Sequence, residues 1–219
     1  MKTIKTIKTI IAVLICLLMT TNLLSQNKIS ISAKAGLNLS NTKTFIDTTW
    51  NTKSTPGANV GINVTFPIKS LFLQTGISFS QKGFNYETTE TNWNGETIKS
   101  TILMKTDYIE LPISLGKKFS INDNIGISIL LGGYLGSALS GDITQSFEYL
   151  GQVEKTNESM HWGQDRDFIR LDYGYNFGIE FSYKMISLGV QKTNGICNFM
   201  TEDGELYNRT LTFYTSYKF

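Results

Sequence analysis

Two stretches of this chain alternate apolar and polar residues without exception. Ile29, Ile31, Ala33, Ala35, Leu37 and Leu39 share one parity, and Ser30, Ser32, Lys34, Gly36, Asn38 and Ser40 hold the other. A longer stretch repeats the pattern: Ile169, Leu171, Tyr173, Tyr175, Phe177, Ile179, Phe181 and Tyr183 oppose Arg170, Asp172, Gly174, Asn176, Gly178, Glu180 and Ser182. Successive side chains of a strand point to opposite faces, whereas a helix would mix the two sets on every face. Each stretch is therefore expected to be a strand with one apolar side.

The same parity recurs along the chain. Further strands are expected near 57–66 (Ala58, Val60, Ile62, Val64, Phe66), 70–84 (Leu71, Leu73, Ile77, Phe79) and 104–119 (Ile109, Leu111, Ile113, Leu115). Others are expected near 125–140 (Ile125, Ile127, Ile129, Leu131, Leu135), 186–193 (Ile186, Leu188, Val190) and 207–219 (Tyr207, Leu211, Phe213, Tyr217, Phe219). The total is eight. Connections alternate in length: 67–69, 120–124 and 184–185 are short, whereas 41–56, 85–103, 141–166 and 194–206 are long and polar. Short turns on one rim and long loops on the other is the arrangement of an outer-membrane barrel, with the short side periplasmic. The expected fold is thus an all-β, eight-stranded antiparallel up-and-down transmembrane β-barrel over residues 26–219.

The N-terminus reads as a secretory signal peptide, residues 1–25. Lys2, Lys5 and Lys8 precede the apolar run Ile10–Met19, which is followed by Thr20–Asn22 and the small residue Ser25. Ten apolar residues are too few to span a bilayer as a helix. Cys16 does not make this a lipoprotein signal, because Ile15 precedes it and Leu17–Met19 continue the apolar run. Removal of 1–25 leaves 17 basic against 18 acidic residues, so nothing in the charge calls for nucleic acid. It also leaves Cys197 as the only cysteine, which excludes an internal disulfide or a multi-cysteine metal site.

Alternation by itself fits a soluble barrel turned inside out. Residue size breaks the tie. The apolar face is crowded with Leu, Ile, Phe and Tyr, while the other carries Gly36, Gly61, Gly76, Gly116, Gly126, Gly132, Gly174 and Gly178 among Ser, Asn and charges. An eight-stranded barrel has little room inside, so the small and polar set is expected in the lumen and the bulky set against lipid. Tyr183, Tyr217 and Phe219 near one rim, with Tyr173 and Tyr207 near the other, suit two interfacial aromatic girdles.

The inward parity brings together Glu110, Lys118, Arg170, Asp172, Glu180 and Lys34. Buried charge requires partners, so Arg170 is expected to pair with Glu110, Glu180 or Asp172. The role expected of this cluster is structural: a plug that fixes register and keeps the lumen closed.

The stretches KAGLNLSN from Lys34, LQTGISFSQKGF from Leu73, YIELPISLGKKF from Tyr108, YGYNFGIEFSY from Tyr173 and the closing FYTSYKF resemble the PorT-like outer-membrane β-barrel family. The resemblance covers essentially the mature chain and implies the barrel fold, the outer membrane of a Gram-negative bacterium, and a link to type IX protein secretion for the founding member. The closing aromatic Phe219, with Tyr217 and Phe213 before it, is similar to the C-terminal signal read by the barrel-assembly machinery.

The expected function is structural or binding, through four surface loops on a barrel with a filled interior; the alternatives are an accessory role in secretion or a narrow channel. Outer-membrane lipid, the assembly machinery and an extracellular or secretion partner are the expected contacts. No enzyme activity, cofactor or metal is expected. His161 is the only histidine, and its neighbours Glu158, Ser159 and Asp165 fall with it in one long loop that fixes no geometry. No glycine-rich phosphate loop is present, since the glycines lie within strands.

Overall fold

A computed structural model describes residues 29–44, 52–91, 93–162, 168–200 and 205–219. The expected signal peptide, residues 1–25, lies outside them. Among the described residues the chain forms nine antiparallel strands, one more than the alternation indicates: β1 (Ser30–Thr44), β2 (Thr52–Ile68), β3 (Leu71–Thr91), β4 (Thr97–Ser120), β5 (Ile125–Tyr149), β6 (Gln152–Ser159), β7 (Leu171–Tyr183), β8 (Ile186–Gly195) and β9 (Leu206–Lys218). Each of the first five pairs with the next, β5 pairs with β7, β7 with β8, β8 with β9, and β9 returns to β1. Eight strands therefore close into a ring. The ninth, β6, pairs only with the far end of β5, from Asp142↔Ser159 to Tyr149↔Gln152.

The parity reading of the two faces holds around the ring. Phe177 and Phe181 are each 45 % exposed on the outside, with Leu37, Ile62, Ile77, Leu131 and Phe213 also outward. Asn38, Asn63, Ser78, Ser114, Ser128, Asn176 and Thr212 are buried within. An exterior of Leu, Ile and Phe around a polar interior reverses the usual distribution for a protein in water. It is the distribution that hydrocarbon selects, because a closed ring leaves no backbone group unpaired in lipid.

Glycine sets how much the lumen holds. A Cβ on Gly189 would fall 2.2 Å from Cζ of Tyr214, and one on Gly116 would fall 2.2 Å from Cζ of Phe72. Both rings lie in space that any larger residue would occupy. Pro112 is tolerated within β4 because the β3–β4 pairing skips its position between Ile113 and Glu110, and the Thr75 hydroxyl donates to its carbonyl at 2.9 Å.

The long connections are where the expectation differs most from the structure. Residues expected as loops at 85–103 and 141–166 largely continue the ladder: β3 and β4 pair out to Thr91↔Thr97, and β4 and β5 out to Ile98↔Tyr149. Thr and the β-branched residues of this region favour extended backbone, but both faces of such an extension meet water, so the alternation that marks a strand in the membrane fades. Gly95 (φ 82°) closes one hairpin, and Leu150 (φ 48°) with Gly151 (φ 76°) closes the other in the two-residue turn whose twist suits a hairpin. On the opposite rim the turns are short, with Lys69 and Lys184 at positive φ; Pro67, expected in a turn, pairs within β2 opposite Phe72.

Candidate functional site

The centre of the lumen is organised by Lys82, a lysine that is not among the inward charges expected from the sequence. Lys82 shares parity with Ser78 and Ser80 in β3, opposite in facing to Ile77 and Phe79. Its Nζ lies 2.6 Å from Oε1 of Glu110 on β4, an ion pair off the line of a hydrogen bond, and donates at 2.9 Å to Oδ2 of Asp172 on β7. The side chains of Lys82 and Asp172 are 2 % and 0 % exposed.

Asp172 is held by two further donors, the Tyr134 hydroxyl at 3.0 Å to Oδ1 and Asn208 Nδ2 at 2.9 Å to Oδ2. The Lys82 ammonium also sits 4.4 Å from the Tyr134 ring centre and 5.0 Å from that of Tyr108. Cation, carboxylates and aromatic faces thus compensate one another in a buried site.

Each of the six residues expected to meet in the lumen has a definite place. Glu110 and Asp172 join at Lys82. Glu180 lies nearer the turn rim, accepting from the Tyr214 hydroxyl at 3.3 Å. Lys34 is in the same region, donating to Gln191 at 3.2 Å with its ammonium 4.4 Å from the Tyr214 ring centre. Lys118 lines the open vestibule of the turn rim.

Arg170 is the correction. The ladder of β7 begins at Leu171, so Arg170 lies in a bend outside it, exposed, donating to the Ala138 carbonyl at 3.2 Å and facing the Trp162 ring at 6.0 Å. It makes none of the expected ion pairs among the described residues. Parity fails there because the chain bends at Arg170, which breaks the alternation of the strand even though its carbonyl still accepts from the Ala138 N–H at 2.8 Å.

Polar layers continue on both sides of Lys82. Asn38 donates to Ser80 Oγ at 3.0 Å and accepts from Thr212 at 2.8 Å, Ser40 and Thr210 share a hydrogen bond at 3.0 Å, and Ser114 donates to Asn176 at 3.0 Å. Toward the hairpin rim the interior turns apolar: Phe84, Met104, Met160, Phe168, Phe199 and Leu206 form a buried cluster, with Tyr86, Ile143, Trp162 and Met200 against it. Bridges Trp162↔Phe168 and Phe168↔Met200 hold the connecting segments across the mouth. The middle of the lumen is therefore crossed by a charged layer, and its hairpin end is capped by an apolar one.

Beyond that cap β3, β4, β5 and β6 stand above the ring as a four-stranded sheet. Its two faces differ. Register places Tyr86, Ile98, Ile102, Phe147 and Tyr149 on the face continuous with the lumen, and Glu87, Lys99, Thr101, Glu148 and Lys155 on the other. Trp93, 94 % exposed, stands at one hairpin tip and Leu150 at the other. Residues 85–103 and 141–160 carry seven acids (Glu87, Glu90, Glu96, Asp142, Glu148, Glu154 and Glu158) against Lys99 and Lys155, a net charge of −5. Two of these carry local hydrogen bonds that shift ionisation: the Lys53 ammonium, 2.6 Å away, holds the Glu87 carboxyl below its usual range, and the bond to Glu96 pushes the Tyr149 hydroxyl up. Among the described residues no strand pairs with the far edge of β6, nor with β3 beyond Tyr86.

The histidine neighbourhood does not converge. Glu158 and Ser159 occupy opposite faces of β6, Ser159 donates to Asp142 at 3.3 Å, His161 is exposed, and Asp165 lies outside the described residues. No group of three or more His, Cys, Asp or Glu able to hold a metal occurs among the described residues.

Solved structures align with most of this chain at TM-scores below 0.5. Ail, the attachment invasion locus protein of Yersinia pestis, aligns at 15 % identity and TM-score 0.37 over 88 % of this chain and 100 % of its own. Neisserial surface protein A aligns at 11 % identity and TM-score 0.43, again over 88 % and 100 %. A Rh. blastica porin mutant aligns at 7 % identity and TM-score 0.20 over 88 % and 99 %. No curated protein matches the chain. The family model for the outer membrane protein beta-barrel domain matches residues 24–199, most of the chain and seven of the eight ring strands, and the protein belongs to that family.

Proposed function

We propose that this protein is a non-enzymatic binding protein of the cell surface, which uses its ring as an anchor and the protruding β3–β6 sheet as the contact. The observation that carries this reading is the sheet itself: hairpins continue well past the ring and expose a strand edge, with Trp93 and Leu150 at their tips. A row of unpaired backbone donors and acceptors is a template for a further strand. With a net charge of −5, the partner that fits is a basic polypeptide in extended conformation. The hairpin rim then faces outward from the cell, and the short turns face the periplasm.

Transport is disfavoured by the filled lumen. In planar bilayers the protein is expected to show no steady conductance, and a sustained open level would replace the binding reading with a channel.

The binding reading is tested with a synthetic eight-residue peptide of alternating Lys and Val, titrated against the protein in maltoside micelles. Wild type is expected to bind it saturably. Asn157→Pro, which removes one of the backbone N–H groups that face the free edge, since those of Met160 and every second residue before it point toward β5, is expected to weaken binding by about tenfold or more, a difference of about 1.4 kcal/mol. Equal binding by the variant would sink the edge model. An accessory role in secretion, which the PorT-like resemblance raises, would be favoured instead if the protein co-purified with a secretion complex through its turn rim.

A further inference from the structure

The end of the lumen away from the sheet is not filled. A vestibule of about 200 Å³ opens on the turn rim, and its ionisable residues are Lys118, Lys184 and Lys218 against one carboxylate, Glu180. None of the three lysines makes an ion pair among the described residues. Glu180 is engaged at 3.3 Å by the Tyr214 hydroxyl. The vestibule therefore presents three lysines against a single carboxylate, Glu180, an excess of positive charge.

A second feature is independent of charge. Ser128 and Ser216 line the same vestibule, are 4 % and 7 % exposed, and have no hydrogen-bond partner among the described residues. Both residues are almost wholly buried, yet their hydroxyls are open to the vestibule and free to donate there. The Lys118 stem lies beside Gly126, where a Cβ would meet its Cε at 2.5 Å, so a bare backbone leaves room for the stem at the vestibule wall.

The vestibule is also a dead end. Lys34 bound to Gln191, and Ser114 bound to Asn176, cross the lumen between it and the Lys82 layer. Whatever enters leaves by the same mouth.

We propose that this vestibule is a binding site for a phosphate group, held by the ammoniums of Lys118 and Lys218 and by the hydroxyls of Ser128 and Ser216, with Lys184 at the mouth. Lysine acts on phosphate as a movable point charge and hydroxyls supply directional donors, and the vestibule offers both around a volume suited to one such group. The same chemistry is found in free phosphate and in the headgroup of a periplasm-facing lipid. The site does not depend on the binding role of the sheet.

The test is titration of inorganic phosphate and, separately, glycerol phosphate into the full protein in maltoside micelles, which carry neither charge nor phosphorus, followed by calorimetry and phosphorus NMR. Saturable binding is expected, weakened about tenfold or more by Lys118→Met with Lys218→Met and severalfold by Ser128→Ala with Ser216→Ala. Heat-modifiable gel mobility shows that each variant is folded, and the serine pair adds no bulk and removes no charge. Tighter binding of glycerol phosphate identifies a headgroup site and equal binding a free-phosphate site; both support the proposal. No saturation by about 10 mM ligand, a dissociation constant beyond the millimolar range, would overturn it. So would binding that ignores the serine pair and is matched by chloride, because that is screening of lysines and not a site.

Discussion

The ring and the sheet above it are made from the same strands, yet only one of them was visible as strand in the sequence. In the ring, β7 alternates without fault because each parity meets a different medium, hydrocarbon outside and a packed polar lumen inside. In the sheet, β6 is exposed at every residue, and Gln152, Glu154, Thr156 and Glu158 look no different in kind from Val153, Lys155, Asn157 and Ser159 on the other face. Periodicity reports a difference between two environments. Where both sides are wet, a strand leaves no periodic trace and reads as a polar loop.

The contrast also orders what substitutions should do. The largest effect is expected at the centre of the ring: Lys82→Met leaves Asp172 and Glu110 buried without their cation, which costs about 3–5 kcal/mol. Urea unfolding in micelles measures it, and adding Glu110→Gln and Asp172→Asn to the same chain should restore most of the loss. If Lys82→Met alone is neutral, the lumen is wetter than its packing shows and the contrast between the two regions weakens.

Next is a paired comparison of two inward glycines. Gly189→Ala drives a methyl into the Tyr214 ring, whereas a Cβ on Gly178 finds nothing nearer than 3.5 Å. The first is expected to cost about 1–3 kcal/mol by overpacking and the second much less. Equal costs would mean that backbone freedom, and not room for the ring, explains these glycines.

In the sheet the expected effects on the fold are small. Asn157→Pro should change the stability of the ring by less than about 0.5 kcal/mol, the range of surface substitutions away from packed features, while removing a donor from the free edge of β6. A cooperative loss of the whole barrel would show that sheet and ring are one folding unit.

The smallest effect is a titration. Glu87 donates no proton at neutral pH and accepts from Lys53, so its midpoint, followed by NMR, should lie below the ordinary glutamate value near 4.5. The contact is fully formed above that ordinary value and is lost as pH falls through the lowered one. Lys53→Met should return the midpoint to the ordinary range; an unchanged midpoint would mean that Lys53 is not its cause.

The candidate lumen site was half legible. Glu110, Asp172, Glu180 and Lys34 were placed inward by parity alone, because each sits within a ladder whose neighbours fix its facing. Lys82 carried the same signal, opposite in parity to Ile77 and Phe79, but a sequence does not say which of several inward cations stands at the height of which carboxylate. Arg170 was misplaced because it is one residue short of the ladder. The vestibule serines gave no signal at all, since an unpaired hydroxyl differs from a paired one only in what surrounds it.

Read without coordinates, the chain determined that it forms strands, which residues of each strand meet lipid and which are enclosed, and where the short turns fall. All of these follow from a two-residue period set by the backbone itself. Tertiary structure decided the rest: the stagger that brings Lys82 between Glu110 and Asp172, the apolar cap over them, and the climb of β3–β6 beyond the ring. These depend on how far each strand slides along its neighbour, and sliding by two residues leaves the pattern of faces unchanged while moving every contact.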